Sequence, residues 1–325
     1  MMDVHAPTGT SPAFTKSAHP FGGIYASTIC PMQDGGAIDE AALAYHLSSV
    51  GNTRGMAGLL VNGHAGENYA LKRDELAAVL AIARSECGGR IVAGINAEDP
   101  ATAARLSEDA ARQGADAVMV FPPYSWSLGV DERVVQGHHR AIATASGLPL
   151  FLFQGSVNSG RTAFSVDTLS RLLEIESIVG IKEGSWETAA YERTLRLTRR
   201  LRPDVGVMAS GDEHLFTCFV LGSVGSLVSL AAVTPELIVA LDEAVLEGDL
   251  PKAHEVHDRL YDLARIVYAA PGHLATLRLK TCLQILGRLD SVVSRSPIGA
   301  LSDGEVEALR SALATAGVLP GGYVG

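Results

Sequence analysis

The chain contains 325 residues, of which 47% are hydrophobic and 19% charged, so it can bury a large core and is not a disordered protein. Its 36 acidic residues outnumber the 26 basic ones, which gives a formal net charge of −10. Because nucleic-acid binding requires clustered lysine and arginine, and the sequence has no basic stripe, we expect no nucleic-acid partner. No apolar run approaches the roughly 20 residues that cross a bilayer, and the first 20 residues lack a signal-peptide pattern. The sequence therefore predicts a cytoplasmic protein with no membrane partner.

Eight short apolar runs recur along the chain, and each is followed by a segment with helical periodicity. The runs are nearly continuous rather than alternating in apolar character, which is typical of strands that are covered on both faces. We predict strands at residues 23–29, 57–61, 90–95, 116–121, 149–153, 177–181, 205–209 and 223–230.

Helices are predicted between these strands, beginning with residues 38–50 and 72–86. Asp99 is predicted to cap a third helix that starts at Pro100. After residue 234 the pattern contains helices but no strands. The predicted C-terminal helices span residues 235–247, 250–269, 273–286 and 303–316.

Eight strand–helix units are the number that closes a (β/α)8 barrel and removes both edges of the sheet. The competing fold is a doubly wound open sheet, which would normally carry G-x-G-x-x-G after its first strand, and none is present. We therefore predict an α/β fold, a (β/α)8 TIM barrel with a C-terminal helical appendage. The predicted divisions are a flexible tail at 1–20, the barrel at 21–232, and a helical region at 233–325 that packs on the barrel.

Metal and disulfide chemistry have weak support in the sequence. His254 and His257 are spaced i, i+3, but no third ligand converges on them, so we favour a solvated helix face there and at His138 and His139. The cysteines are far apart, and we expect reduced, mostly buried thiols at Cys30, Cys87, Cys218 and Cys282. No metal and no cofactor is expected.

The chemistry of such a barrel lies at the carboxyl ends of its strands. Polar or aromatic side chains follow several predicted strands, at residues 62–67, 96, 122–126, 154, 182–183, 210–212 and 229. Among the five lysines, only Lys182 directly follows a buried strand. An ammonium group at that place is unfavourable unless it is paired or loses its proton, and a neutral amine is a good nucleophile for a carbonyl carbon. The alternative is a structural lysine neutralised by the adjacent Glu183.

Several short motifs follow one another along the chain, and their order is informative. They are DGGAID at 34–39, GHAGE at 63–67, GAD at 114–116, PPY at 122–124, VGIKE at 179–183, SGD at 210–212 and GSVGSLVS at 222–229. Over about residues 20–310 the chain thus resembles the dihydrodipicolinate synthase / N-acetylneuraminate lyase family of class I aldolases. The resemblance implies a TIM barrel with a C-terminal helical bundle, a Schiff base between Lys182 and a 2-oxo acid, and a homo-oligomer, either tetramer or dimer. It also implies that an aromatic residue near 124–126 crosses into the neighbouring subunit's site.

The chain departs from the family pattern at its proton-transfer residues. Phe153 stands where the synthase has a strand-five tyrosine, His64-Ala65 replaces a threonine pair, and Tyr124-Ser125 replaces an aromatic pair. We therefore expect that the chain is not a dihydrodipicolinate synthase. His64 either supplies acid–base catalysis or only binds substrate, and Tyr124 either donates to a substrate oxygen or packs at a subunit interface.

The remaining predicted site residues are substrate-binding positions. Arg161 could bind a substrate carboxylate, with a solvated loop arginine as the alternative, and Phe153 could form an apolar wall. Glu67 is interpreted as a helix cap. The predicted substrate-binding set is Gly63, Ala65, Asn62, Ser125, Phe153, Gln154, Arg161, Gly211 and Val228.

The favoured function is a lyase that acts on a small-molecule 2-oxo acid through a lysine Schiff base. Cleavage that releases pyruvate and dehydration of a 2-oxo-3-deoxy acid share this intermediate, and both remain open. The alternative is a catalytically silent family member that binds a 2-oxo acid or a sugar acid as a sensor.

Overall fold

The structure, a computed structural model, describes residues 18–295 and 299–319 of the chain. Eight parallel strands form a closed barrel in sequence order, and the last strand pairs with the first. The strands are β1 (Gly23–Ser27), β2 (Met56–Val61), β3 (Arg90–Ile95), β4 (Ala117–Val120), β5 (Leu150–Gln154), β6 (Ile178–Glu183), β7 (Gly206–Ala209) and β8 (Gly225–Val228). All eight predicted strands are confirmed, and the TIM barrel with them. Most of the predicted tail at 1–20 lies outside the described residues.

Helices alternate with the strands and then continue alone, as the sequence predicts. They are α1 (Glu40–Gly51), α2 (Arg73–Glu86), α3 (Pro100–Arg112), α4 (Glu132–Ser146), α5 (Val166–Leu172), α6 (Thr188–Leu201), α7 (Leu215–Val220), α8 (Pro235–Leu246), α9 (Leu250–Val267), α10 (Ala275–Ile285) and α11 (Asp303–Thr315). Helix α3 begins as predicted, with Pro100 in its first turn and the Asp99 carboxylate accepting from the amide of Thr102.

The C-terminal part of the chain both completes the barrel and adds to it. Helix α8 packs against β1 and α7, so the eighth helix of the barrel lies within the segment 233–325 that the sequence assigns to the helical region. Helix α9 packs on α8, and α11 packs on α9 and α10. The division at residue 232 stays a prediction.

Two apolar layers surround the strands. One fills the space between strands and helices, and the other fills the lumen of the barrel. Gly180 makes room for the lumen layer, because a Cβ at this position would lie 2.2 Å from Cε1 of Phe151. Side chains alternate between the two layers along each strand, so a shift of one residue moves a side chain from one layer to the other.

Other sequence predictions concern burial. All four cysteines are free and buried, as expected. Among the described residues, no helix has the length and hydropathy that a membrane crossing requires. Within the same ranges, no group of three or more His, Cys, Asp or Glu side chains is arranged to hold a metal ion. His254 lies on a solvated face, as predicted, and its Nδ1 is 3.1 Å from the Asp258 carboxylate.

Candidate active site

Lys182 lies near the carboxyl end of β6 and points into the mouth of the barrel. It is paired in register with Phe153 on β5, and its Nζ lies 5.6 Å from the centre of the Phe153 ring. The lysine is only 7% exposed, and its Nζ donates a hydrogen bond of 3.2 Å to the hydroxyl of Ser27 at the end of β1. A single neutral partner leaves a buried ammonium poorly stabilised.

The neighbouring Glu183 does not neutralise this lysine. It is one residue further along β6 and so faces the helices, where its carboxylate accepts from the hydroxyls of Ser185 and Thr194. Among the described residues, Lys182 forms no ion pair. Burial lowers the pKa of Lys182 to about 8, although the charge of Asp212 opposes the shift. At neutral pH a useful fraction of this amine is therefore uncharged and nucleophilic.

Asp212, after β7, is the acid near Lys182. It is 6% exposed, and its Oδ1 accepts a hydrogen bond of 3.0 Å from the amide of Leu230. Burial raises its pKa to about 6, while the Leu230 amide and the charge of Lys182 oppose the shift. Tyr268 lies against the same carboxylate, and the pKa of its phenol is raised well above 10 by burial and by Asp212.

His64 lies in the loop after β2, among aromatic rings. Its ring centre is 4.2 Å from that of Phe121, 5.7 Å from Phe153 and 6.1 Å from Tyr124. Burial and the positive charge of Lys182 lower the pKa of His64 to about 4. The imidazole is therefore neutral at physiological pH, with one nitrogen able to donate and the other able to accept.

A cavity of about 490 Å³ opens above these residues, between the barrel mouth and the C-terminal helices. It is large enough for a small organic acid. Its wall contains His64, Ala65, Tyr69, Tyr124, Ser229, Tyr268, Gly272, His273, Ala275, Thr276 and Leu279. Lys182 is not in this wall, but its Nζ lies 5.6 Å from the centre of the Phe153 ring. That ring centre lies 5.7 Å from the ring of His64, which is in the wall, so the amine is close to the cavity.

Some predicted substrate-binding residues lie beside this cavity. Ala65 lines it, and Gly63 precedes His64 in the same loop, next to the side chains of Leu60 and Phe121. Phe153 lies beside Lys182, and the apolar wall that it is expected to form stays a prediction.

Other predicted binding residues have side chains whose contacts lie outside the cavity wall, and their binding role stays a prediction. The Gln154 side chain faces outward and holds the backbone amide and carbonyl of Phe164 at 3.1 Å each. The Asn62 amide group donates to the carbonyl of Leu76 at 2.9 Å, and Val228 packs in the layer between strands and helices. These three side chains support the loops and strands around the site.

The last three predicted positions are Gly211, Ser125 and Arg161. The first two are not in the cavity wall, and the side chain of the third lies outside the described part of the chain. Gly211 borders Trp186, because a Cβ there would lie 3.8 Å from the Cα of Trp186. Ser125 is exposed, and its amide donates to the Glu98 carboxylate at 3.0 Å. Arg161 lies in the 3₁₀ turn Gly160–Thr162, but its side chain lies outside the described part of the chain.

The aromatic segment after β4 divides into exposed and buried side chains. Tyr124 is 51% exposed and Leu128 is 86% exposed, whereas Trp126 is buried against the rings of His138 and His139. The expectation of a solvated histidine face on α4 is therefore wrong, since these two histidines are 3% and 0% exposed. Of the aromatic residues at 124–126, only Tyr124 is exposed.

Glu67 directly precedes the 3₁₀ turn Asn68–Ala70, at its N-cap position, but its side chain makes no capping hydrogen bond there. Its carboxylate is completely buried and lies 2.6 Å from Nζ of Lys280 on α10, which is also completely buried. The same carboxylate accepts from the Ser294 hydroxyl at 2.6 Å and from the Arg295 amide at 2.9 Å. The ion pair joins the His64 loop to the C-terminal helices.

Sequence reasoning missed two residues of the site. Ser27 ends β1, and a hydroxyl at a strand end was a usable signal. Tyr268 follows α9, more than 80 positions after Lys182, and no local pattern connects the two. Asp212 and Ser229 appear only as polar residues at strand ends, without an assigned role.

Comparison with known proteins places the chain in a family. The profile of the dihydrodipicolinate synthetase family matches residues 20–316. The chain belongs to this family. It is 31% identical over 301 residues to the 4-hydroxy-tetrahydrodipicolinate synthase of Rhodopseudomonas palustris, covering 92% of this chain and 98% of the relative. It is 29% identical over 293 residues to the enzyme of the same name from Methanothrix thermoacetophila, covering 90% and 96%.

A solved structure agrees with this assignment. The crystal structure of dihydrodipicolinate synthase from Aquifex aeolicus superposes with a TM-score of 0.81 at 25% identity, over 92% of this chain and 99% of that one. The family makes this protein an enzyme of the class I aldolase/lyase type. The expectation that it is not itself a dihydrodipicolinate synthase is not borne out, because the curated relatives carry that name.

Proposed function

We propose that the protein is a lyase that binds a 2-oxo acid covalently as an imine of Lys182. The amine attacks the ketone carbon, water leaves, and the iminium accepts electrons while a bond beyond the α-carbon is broken or formed. Two outcomes share this intermediate: aldol chemistry that releases or consumes pyruvate, and loss of water from a 2-oxo-3-deoxy acid.

The environment of Lys182 is the observation that carries this proposal. The amine is buried, hydrogen-bonded to one hydroxyl and lowered in pKa to about 8. A structural lysine in the same fold would be paired with a carboxylate, as Lys280 is. A perturbed amine beside a cavity is a candidate nucleophile on physical grounds.

His64 and Tyr124 are proposed to hold the bound acid from the opposite wall. Neutral His64 donates one hydrogen bond to a substrate oxygen without bringing a second positive charge near Lys182. Tyr124 lies beside Asn96 at the cavity rim, where its phenol can donate to the outer part of a substrate. Phe153 leaves the strand-five side of the pocket apolar.

The test is borohydride reduction in the presence of pyruvate and a panel of longer 2-oxo acids, followed by peptide mass mapping. We expect one reduced adduct, on Lys182, with none on Lys72, Lys252 or Lys280. The variant Lys182→Arg should take up no label, whereas Lys252→Arg should be labelled like the wild type. An unmodified Lys182 with every acid would contradict the proposal.

The second candidate is a catalytically silent binding protein, and Phe153 is the observation that favours it, because this residue brings no hydroxyl to Lys182. It predicts that a 2-oxo acid or sugar acid raises the melting temperature while no acid is turned over. Lys182→Ala would then bind ligand as well as the wild type does. Equal binding by that variant would select the silent protein over the lyase.

We also propose a homo-oligomer that covers the exposed side of the segment Tyr124–Leu128. Half-exposed Tyr124 and the 86% exposed Leu128 form an apolar surface beside the cavity mouth. Sedimentation should give a dimer or tetramer, and Leu128→Glu should shift the protein toward smaller species. A wild-type monomer would contradict this assembly.

A further inference from the structure

The proposed imine needs a group that moves protons at the adjacent carbon, and β5 does not supply it. Phe153 stands beside Lys182 and has no titratable atom. His64 is neutral and lies among three aromatic rings. Of the three tyrosines in the cavity wall, Tyr69 and Tyr124 are exposed, whereas the oxygen of Tyr268 is shielded from solvent.

Tyr268 reaches the cavity from the end of α9, on the side of Asp212 and Ser229. Its hydroxyl interacts with both side chains but does not meet hydrogen-bond geometry with either. A buried phenol without a hydrogen bond is unfavourable, so a ligand that supplies a partner there gains binding energy.

The backbone of Trp186 supports this arrangement. Trp186 has φ 60, a left-handed conformation that is strained for a bulky residue, and its ring packs on Tyr268 with 4.9 Å between ring centres. Strain of this kind persists where the surrounding structure enforces it, commonly at functional sites. Here the strained loop follows β6 directly, and so it joins Lys182 to the wall that holds Tyr268.

Asp212 is suited to take a proton from Tyr268. It is fixed by the Leu230 amide, and its pKa of about 6 lets it exchange a proton near neutral pH. Tyr268 alone is a poor base, because burial and the Asp212 charge disfavour its anion. A phenol that accepts one proton while it donates its own avoids that anion.

We propose that Tyr268, backed by Asp212, is the proton-transfer residue at the carbon next to the imine. This inference rests on the proposed function. The C3–H bond of the pyruvate imine breaks, its electron pair forms the C2=C3 bond, and the C2=N electrons move to nitrogen, which gives the enamine. The C3 proton goes to the Tyr268 oxygen, and the Tyr268 proton goes to the Asp212 carboxylate. The reverse path returns the proton to carbon.

The test separates imine formation from proton transfer. Protein and pyruvate are placed in deuterated water, exchange at C3 is followed by proton NMR, and a parallel sample is reduced with borohydride. Tyr268→Phe and Asp212→Asn should still be labelled on Lys182 but should exchange C3 protons at least ~100-fold more slowly than the wild type. Tyr261→Phe, which removes an exposed phenol from α9, should behave like the wild type.

Each outcome bears on the proposal. Wild-type exchange in a labelled Tyr268→Phe variant overturns the role of Tyr268 and leaves the lyase proposal intact. Loss of labelling together with exchange in Tyr268→Phe also overturns it, because the hydroxyl would then serve imine formation. Absence of labelling in the wild type removes the proposed function and this inference together. Tyr268→Phe deletes a hydroxyl that makes no hydrogen bond, so it carries the test even where Asp212→Asn does not fold.

Discussion

Two lysines are buried in the described part of the chain, Lys182 and Lys280, and their surroundings differ. Lys280 lies 2.6 Å from the Glu67 carboxylate and 2.6 Å from the carbonyl of Val293, so its charge is compensated. Lys182 lies 3.2 Å from a serine hydroxyl and has its pKa lowered to about 8. Burial alone therefore does not mark a reactive lysine in this barrel. What distinguishes Lys182 from Lys280 is that its hydrogen-bond partner is a hydroxyl and not a carboxylate.

The largest expected effect comes from breaking the compensated pair. Glu67→Gln leaves the Lys280 ammonium buried without its counter-charge, and we expect a loss of about 3–5 kcal/mol in the free energy of unfolding, measured by urea denaturation. The double variant Glu67→Leu/Lys280→Met removes both charges and should recover most of that loss. A Glu67→Gln protein as stable as the wild type would show that the pair is not what holds Lys280.

Removing the uncompensated charge of Lys182 should increase the stability of the protein rather than reduce it. A pKa lowered from 10.5 to about 8 corresponds to on the order of 3 kcal/mol of instability at neutral pH, at ~1.36 kcal/mol per unit. Lys182→Met should therefore raise the free energy of unfolding by up to about that amount while it abolishes borohydride labelling.

The pH dependence of this stabilisation has a defined direction. Below pH 8 the wild type bears the full instability of its buried ammonium, because both folded and unfolded chains are protonated. Between pH 8 and 10.5 the unfolded chain binds more protons, so wild-type stability rises with pH and the advantage of Lys182→Met shrinks. An advantage that does not change over this range would contradict the assigned shift.

The rate of imine formation should follow the same titration. Since only the neutral amine attacks, the rate with pyruvate should fall about tenfold per pH unit below pH 8 and level off above it. Stopped borohydride reduction at a series of pH values measures this profile. An inflection near 10.5 would mean that Lys182 is an ordinary solvated lysine.

The smallest effect is expected from substitution of His64, which lies in the cavity wall proposed to face the amine of Lys182. With its pKa at about 4, His64 contributes a neutral hydrogen bond, so His64→Asn should weaken binding of the 2-oxo acid by about tenfold or less. The rate of imine formation by the wild type, plotted against pH, should show no inflection near pH 6.5 that is absent from His64→Asn. Such an inflection would identify an imidazolium and restore His64 as the acid–base catalyst.

Sequence reasoning found the barrel because its signal is repeated. Each of the eight runs is apolar, short and followed by a helix, and an error in the bounds of one run leaves the count of eight unchanged. Lys182 was found for a different reason: it directly follows a predicted buried strand, and the carboxyl end of such a strand faces the active side of a barrel.

The positions of the other site residues depend on strand register and on contacts between distant parts of the chain, which local sequence does not show. Gln154 and Phe153 are adjacent in sequence, and the register of β5 against β6 decides which one faces Lys182. Glu67 and Lys280 are separated by 213 positions, and their contact requires the C-terminal helices to fold back onto the β2 loop. Tyr268 enters from the same helices and carries no motif of its own.

The most direct test of the account is a crystal structure of the protein soaked with pyruvate. We predict continuous electron density from Nζ of Lys182 to the carbonyl carbon of pyruvate, with Lys280 still in contact with Glu67. Pyruvate held without a covalent bond, or bound away from the barrel mouth, would contradict the claim that the uncompensated lysine is the nucleophile.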